Sequence, residues 1–128
     1  MPYINIKIGT TLSDQQKAEL FHQTTDAMDT IMGKRREVTV VQIEESIPDC
    51  WSVNSEPLHE KAPVSAYVDV KITQGTNSDE EKAQLINTLM QMLKSVGSTQ
   101  QACYIVVHEL AAASWGYDGK TQTARSIM

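Results

Sequence analysis

Ser13-Asp14-Gln15-Gln16-Lys17-Ala18-Glu19-Leu20 returns later in the chain as Ser78-Asp79-Glu80-Glu81-Lys82-Ala83-Gln84-Leu85. In each octet a serine stands three residues before a glutamine or glutamate. That is capping-box spacing: the serine oxygen accepts from a first-turn amide, and the longer side chain reaches back to the serine N–H. Both octets predict a helix start. Working outward, Ile4, Ile6 and Ile8 alternate with Asn5 and Lys7, as Val68, Val70 and Ile72 alternate with Asp69 and Lys71. Period-two alternation predicts a strand before each helix. The strands are offset by 64 residues and the helix starts by 65, so the second strand-to-helix loop is one residue longer. Gly33 and Gly97, Glu45 and Glu109, and Trp51 and Trp115 restore the offset of 64. Matched elements in one order read as an internal duplication.

Within the helices, Leu20, Ala27, Met28 and Ile31 form one apolar stripe, and Ile86, Leu89, Met90, Leu93 and Val96 a second. Gly33 and Gly97 fall where left-handed C-terminal caps are wanted, and strands follow at about 38–45 and 102–109. Each half is thus a βαβ crossover with parallel strands. Side by side, the two halves predict an α/β (α+β) fold with one four-stranded sheet and two helices on one face. The chain reads as a single domain, 1–128, made of repeats at about 2–58 and 64–128, with Asp49 to Ala66 as the linker. Val41, Ile43, Ile105 and Val107 share the parity that meets the helices, whereas Val40, Gln42, Tyr104, Val106 and His108 share the other. That second face reads as too apolar for water, which predicts an oligomer.

The hydrophobic share of 41% and charged share of 21% fit a globular chain with a real core and exclude disorder. A net charge of −5 and a lone basic cluster, Lys34-Arg35-Arg36, argue against nucleic acid as a partner. No apolar stretch approaches the roughly 20 residues of a spanning helix, and no secretory leader precedes the first strand, so the expectation is a cytoplasmic protein away from membranes. Cys50 and Cys103 have neither CxxC spacing nor a disulfide-rich context, and His22, His59 and His108 are scattered, so no metal site is expected.

Only the first repeat opens with proline behind methionine. If Met1 is removed, Pro2 presents a secondary amine, and desolvation or nearby cations would lower its pKa enough to let it take a proton near neutral pH. Around it stand Tyr-Ile-Asn-Ile-Lys-Ile, the Ser-Asp-Gln-Gln-Lys helix start, a Gly-Lys turn, Val-Thr-Val-Val-Gln-Ile-Glu-Glu and a tryptophan. Together these resemble the tautomerase superfamily, specifically the fused 4-oxalocrotonate tautomerases, with a tautomerase/MIF-like fold. The resemblance implies a homotrimer and a cofactor-independent isomerase. In it Pro2 is the general base that interconverts enol and keto forms of a small conjugated 2-hydroxy/2-oxo acid.

Several positions depart from that pattern. Ala66 stands where the second repeat would carry its proline, and its nitrogen is an amide without a basic lone pair. The family's loop arginine is replaced by Thr10-Thr11-Leu12 in one copy and Gly75-Thr76-Asn77 in the other. Its later arginine falls near Thr39 or Val40 and near Cys103 or Tyr104. Binding and polarising a substrate oxygen are therefore assigned to Tyr104, to backbone amides, or to the basic cluster through Arg36, with Trp51 and Trp115 as aromatic walls. Glu45 and Glu109 at strand ends are weaker acid candidates. His108 reads as an interface residue, and Glu37 as a water-activating group in a rival hydratase, dehalogenase or decarboxylase. A non-catalytic oligomeric binding protein is the remaining alternative.

Overall fold

The computed structural model describes residues 2–126; whether Met1 is retained lies outside them. Strand β1 (Tyr3–Ile8) leads into helix α1 (Asp14–Thr30) and strand β2 (Val40–Glu45). Strand β5 (Ala66–Thr73), helix α2 (Asp79–Lys94) and strand β6 (Tyr104–Leu110) repeat the unit. β1 pairs with β2 and β5 with β6, both parallel, while β1 and β5 pair antiparallel. The sheet order is β2-β1-β5-β6, so a pseudo-twofold axis relates the halves and leaves β2 and β6 as the outer strands.

Both capping boxes form: Ser13 accepts from the Gln16 amide and Ser78 from that of Glu81, and each partner side chain returns to the serine N–H. Each cap is worth about 1 kcal/mol. Gly33 adopts φ +69° past α1, a conformation that costs a residue with a Cβ about 1–2 kcal/mol. The core is the layer between helices and sheet. It is filled by Ile4, Ile6, Ile8, Val68, Val70 and Ile72 from the inner strands and by Leu20, Met28, Leu85, Leu89 and Leu93 from the helices.

Three expectations change. The α2 stripe is rotated: Leu85 and Met92 are buried with Leu89 and Leu93, while Ile86 is 39% exposed at the flank. A helix at the side of a two-helix layer buries only the arc facing its neighbour and the sheet. The segment from Asp49 to Ala66 is more than a linker. Strands β3 (Ser52–Val53) and β4 (Glu56–Pro57) pair as a hairpin that corresponds to β7 (Gly116–Tyr117) and β8 (Lys120–Thr121) in the second half. A short helix α3 (Gln122–Ser126) follows the second hairpin. Finally, the uncovered sheet face is not uniformly apolar. The later strands supply Val40, Tyr104 and Val106, but the inner strands place Asn5, Lys7, Asp69 and Lys71 there.

Candidate functional site

Antiparallel pairing of β1 with β5 gives the sheet two ends of different chemistry. Pro2 stands at the start of β1, and because Tyr3 pairs with Lys71, that end of the sheet is also the C-terminal end of β5. Pro2 is buried, and its carbonyl accepts from the Val40 amide at 3.3 Å, which ties it to the first residue of β2. α1 runs back across the sheet, so its C-terminus and the turn through Lys34 reach the same end, where α2 begins. Trp115 comes there as well, its indole N–H donating to Thr73 Oγ1 at 3.1 Å. At the opposite end, Ile8 pairs with Ala66, and Trp51 lies against Gly9 with its indole N–H donating to Ser46 Oγ at 2.7 Å.

These placements divide the sequence candidates. Trp115 and Arg36 share the Pro2 end. Trp51 and Tyr104 lie at the Ala66 end, because Tyr104 pairs with Tyr67 and Tyr67 with Lys7. Some five strand residues, about 16 Å along the strands, and the width of β5 separate Tyr104 from the Pro2 of its own chain. Tyr104 is also 64% exposed and points away from the helices.

The basic cluster splits three ways. Arg36 is held by Asp26 at 2.6 Å and Asp29 at 3.5 Å, and Arg35 pairs with Glu37 at 3.5 Å on the surface. Lys34 is only 9% exposed, and its Nζ donates to Thr76 Oγ1 at 2.8 Å, crossing from the first repeat to the loop of the second. Burial pulls the Lys34 pKa below its ordinary 10.5, and the nearby Glu81 carboxylate partly opposes that. Asn77 fastens the same junction by donating to the Met32 carbonyl at 2.9 Å. The composition of the cluster points to three solvated cations. Only the packing of the two repeats at this end, where a lysine stem is enclosed, distinguishes Lys34.

Glu45 and Glu109 are clamps. Glu45 accepts from the Leu12 amide at 2.7 Å and from Lys17 at 2.9 Å. Glu109 accepts from Lys82, in the first turn of α2, at 2.8 Å. The Leu12 amide, then Lys17, holds the Glu45 pKa below 4.5, and Lys82 does the same for Glu109. Carboxylates stabilised as anions are poor proton donors. Each instead pins a strand-to-helix loop onto its neighbouring strand. On the open face His108 Nε2 meets Asp69 Oδ1 at 2.7 Å. Cys50 is exposed and Cys103 half-buried; both are free thiols, and burial raises that of Cys103.

Among the described residues no group of three His, Cys, Asp or Glu side chains is placed to hold a metal ion, and no helix is long and apolar enough to cross a membrane.

Known proteins with this architecture share its doubled plan. The chain resembles native fused 4-OT at 23% identity and a TM-score of 0.84, over 97% of this chain and 98% of that one. It resembles a wild-type fused 4-OT solved as a symmetric trimer at 21% identity and a TM-score of 0.84, over 96% and 98%. A protein captured after inactivation by 2-oxo-3-pentynoate matches at 18% identity and a TM-score of 0.83, over 96% and 98%. These likenesses establish the fold. No curated protein sequence matches the chain. The family model described as tautomerase enzyme matches twice, over residues 2–61 and 67–125, once for each repeat. By that double match the chain belongs to the tautomerase family.

Proposed function

We propose that the protein is a cofactor-independent tautomerase in which the secondary amine of Pro2, freed by removal of Met1, acts as general base on a small conjugated 2-hydroxy/2-oxo acid. The observation that carries this reading is the asymmetry of the sheet ends. Pro2 is buried at the end that also holds Lys34 and Trp115, and the equivalent place at the other end belongs to Ala66, whose nitrogen is an amide. Pro2 takes the enol O–H proton as the carbonyl forms and returns it to a carbon of the conjugated system, so no atom or electron is gained or lost. Lys34, rather than the doubly paired Arg36, meets the substrate carboxylate, because its ammonium is enclosed at the Pro2 end and, with Glu81 nearby, makes its close contact to the Thr76 hydroxyl rather than to a carboxylate. Trp115 walls the conjugated chain.

The same reading takes the working form as a homotrimer, as in the fused 4-OT solved as a symmetric trimer. An exposed Tyr104 about 16 Å along the strands from its own Pro2, and across β5 from it, serves only the Pro2 of a neighbour, where its hydroxyl polarises the substrate oxygen. Ketonisation of phenylenolpyruvate and of 2-hydroxymuconate by the chain, with Met1 removal checked by intact mass, tests the proposal. Activity that disappears in Pro2→Ala supports it, and turnover unchanged in that variant places the base elsewhere.

A further inference from the structure

The two repeats differ in the loop that joins the first strand to the helix. Four residues, 9–12, lie between Ile8 and Ser13, whereas five, 73–77, lie between Ile72 and Ser78. The longer loop follows β5 at the Pro2 end of the sheet. Within it the Thr76 hydroxyl donates to the Thr73 carbonyl at 2.6 Å, with Asn77 Oδ1 farther off at 3.3 Å. Its one proton is thereby committed, so toward Lys34 Nζ, at 2.8 Å, it can only accept. Asn77 fastens the loop to the end of α1 through the Met32 carbonyl, and Thr73 Oγ1 receives the Trp115 indole N–H. One loop of the second repeat thus touches both groups assigned to the substrate, Lys34 and Trp115.

The pseudo-twofold axis supplies an internal control. At the Ala66 end the 64-residue offset puts Ser98 at the position of Lys34, and its carbonyl accepts from the Val64 amide at 2.8 Å. The loop at that end is the shorter Gly9-Thr10-Thr11-Leu12. A junction that served only to join the repeats would recur at both ends. Instead the lysine, the longer loop and the proline occur together at one end and are missing together from the other.

We infer that Thr76 is a positioning residue for the reaction: its hydroxyl holds one N–H of the Lys34 ammonium and leaves the other two aimed at a substrate carboxylate at the Pro2 end. The inference rests on the catalytic reading proposed above and adds to it a residue from the repeat that has no amine of its own. A lysine needs such a tether, because its charge sits on a flexible four-carbon stem. Among the described residues Lys34 Nζ has no hydrogen-bond partner besides Thr76, so two of its three N–H groups remain for a ligand. The nearby Glu81 carboxylate is already engaged by the Ser78 amide at 2.8 Å and by Asn77 at 3.3 Å. Burial disfavours the charged lysine, and an acceptor with no proton to give offsets that.

Thr76→Val removes the hydroxyl and keeps the branched shape, Thr76→Ser keeps the hydroxyl, and Thr76→Ala stands in if valine disturbs the loop. In ketonisation of phenylenolpyruvate, Thr76→Val is expected to raise KM about fivefold to tenfold with kcat within about twofold, while Thr76→Ser stays near wild type. In a Lys34→Gln background the same change should alter KM by less than about twofold, because no ammonium is left to hold. The methyl ester of the substrate, which offers no carboxylate, should show no Thr76 effect, whereas a merely structural role would affect acid and ester alike. Wild-type kinetics in Thr76→Val, a loss shared by Thr76→Ser, or an equal loss on the ester overturns the inference and leaves Pro2 as the base. Calorimetric titration with 3-phenylpropionate covers a chain that turns over no enol. Binding weakened in Thr76→Val and kept in Thr76→Ser then sustains the tether while the catalytic reading falls, and binding that is absent or equal in all three proteins overturns the tether as well.

Discussion

Trp51 lies directly on the backbone of Gly9: a Cβ at that glycine would sit 2.8 Å from both Cδ1 and Nε1 of the indole. The second repeat answers the same packing problem differently. Thr73 stands at the position of Gly9 and Leu110 at that of Ser46, so the hydroxyl that receives the indole N–H has moved from one strand to the other. Gly9→Ala is therefore expected to destabilise the fold by about 1–3 kcal/mol, as overpacked contacts do. Trp51→Leu in the same chain should recover part of the loss. Denaturant midpoints at unchanged m-value measure both.

Lys34→Gln removes the enclosed ammonium proposed to meet the substrate carboxylate and keeps an N–H donor of similar reach for Thr76. The expected loss in kcat/KM is about tenfold to a hundredfold, the worth of a charged hydrogen bond, and it should fall mainly on KM. Arg36→Gln should leave kcat/KM within about threefold, because Arg36 is already bound to Asp26 and Asp29. Steady-state kinetics of the two variants on one substrate separate these outcomes. Equal losses would show that Lys34 holds no special place.

Ala66→Pro should leave the second repeat inactive, since an internal prolyl nitrogen is still an amide. The 2-oxo-3-pentynoate used on the similar protein offers a direct count. Addition of the Pro2 amine across its conjugated triple bond forms one N–C bond, with the proton moving to carbon. Intact mass should then show a single adduct per chain, located on the peptide that begins at Pro2. An adduct elsewhere, or none with the enzyme active, would count against Pro2.

Glu45 and Glu109 carry depressed pKa values, so the unfolded chain holds their protons more tightly than the folded one. Their stabilisation is complete above the ordinary carboxylate value of 4.5 and fades as pH falls through the lower folded values. Thermal unfolding should therefore lose midpoint temperature as pH drops below about 4.5, and the double variant Glu45→Gln, Glu109→Gln should show a shallower slope there. Parallel slopes in the two proteins would remove the loop-clamp role.

Asn54 and Ser55 turn the first hairpin with φ of 54° and 68°, whereas the second hairpin uses Asp118 and Gly119 at 50° and 77°. Serine pays a left-handed penalty that glycine does not. Ser55→Gly should stabilise the protein by about 0.5–1 kcal/mol after the extra chain entropy of glycine is counted. Chemical denaturation checks the sign.

Much of this architecture was legible in particular residues. The serines at 13 and 78 marked both helix starts because a capping box is a local device, complete within four residues. Ile4, Ile6 and Ile8 marked the first strand for the same reason. The rotation of the α2 stripe toward Leu85 and Met92 was not legible, because which arc of a helix is buried depends on the helix beside it. The polarity of the open face was misread from β2 and β6 alone. Asn5, Lys7, Asp69 and Lys71 reach it from the inner strands, and strand order is a long-range property. The separation of Trp51 from Trp115 and the isolation of Lys34 from Arg36 likewise depend on which strand end each residue meets.

The sequence by itself determined the doubled βαβ plan and the presence of a proline at position 2 of the first repeat against Ala66 in the second, since periodicity, caps and residue identities are properties of neighbouring residues. Only the tertiary structure decided that β1 and β5 run antiparallel. That pairing separates the Pro2 end from the Ala66 end and encloses Lys34 against the second repeat. The physical reason is that hydrogen-bonded register between strands about sixty residues apart fixes which side chains share an end and a face, and no local pattern carries that information.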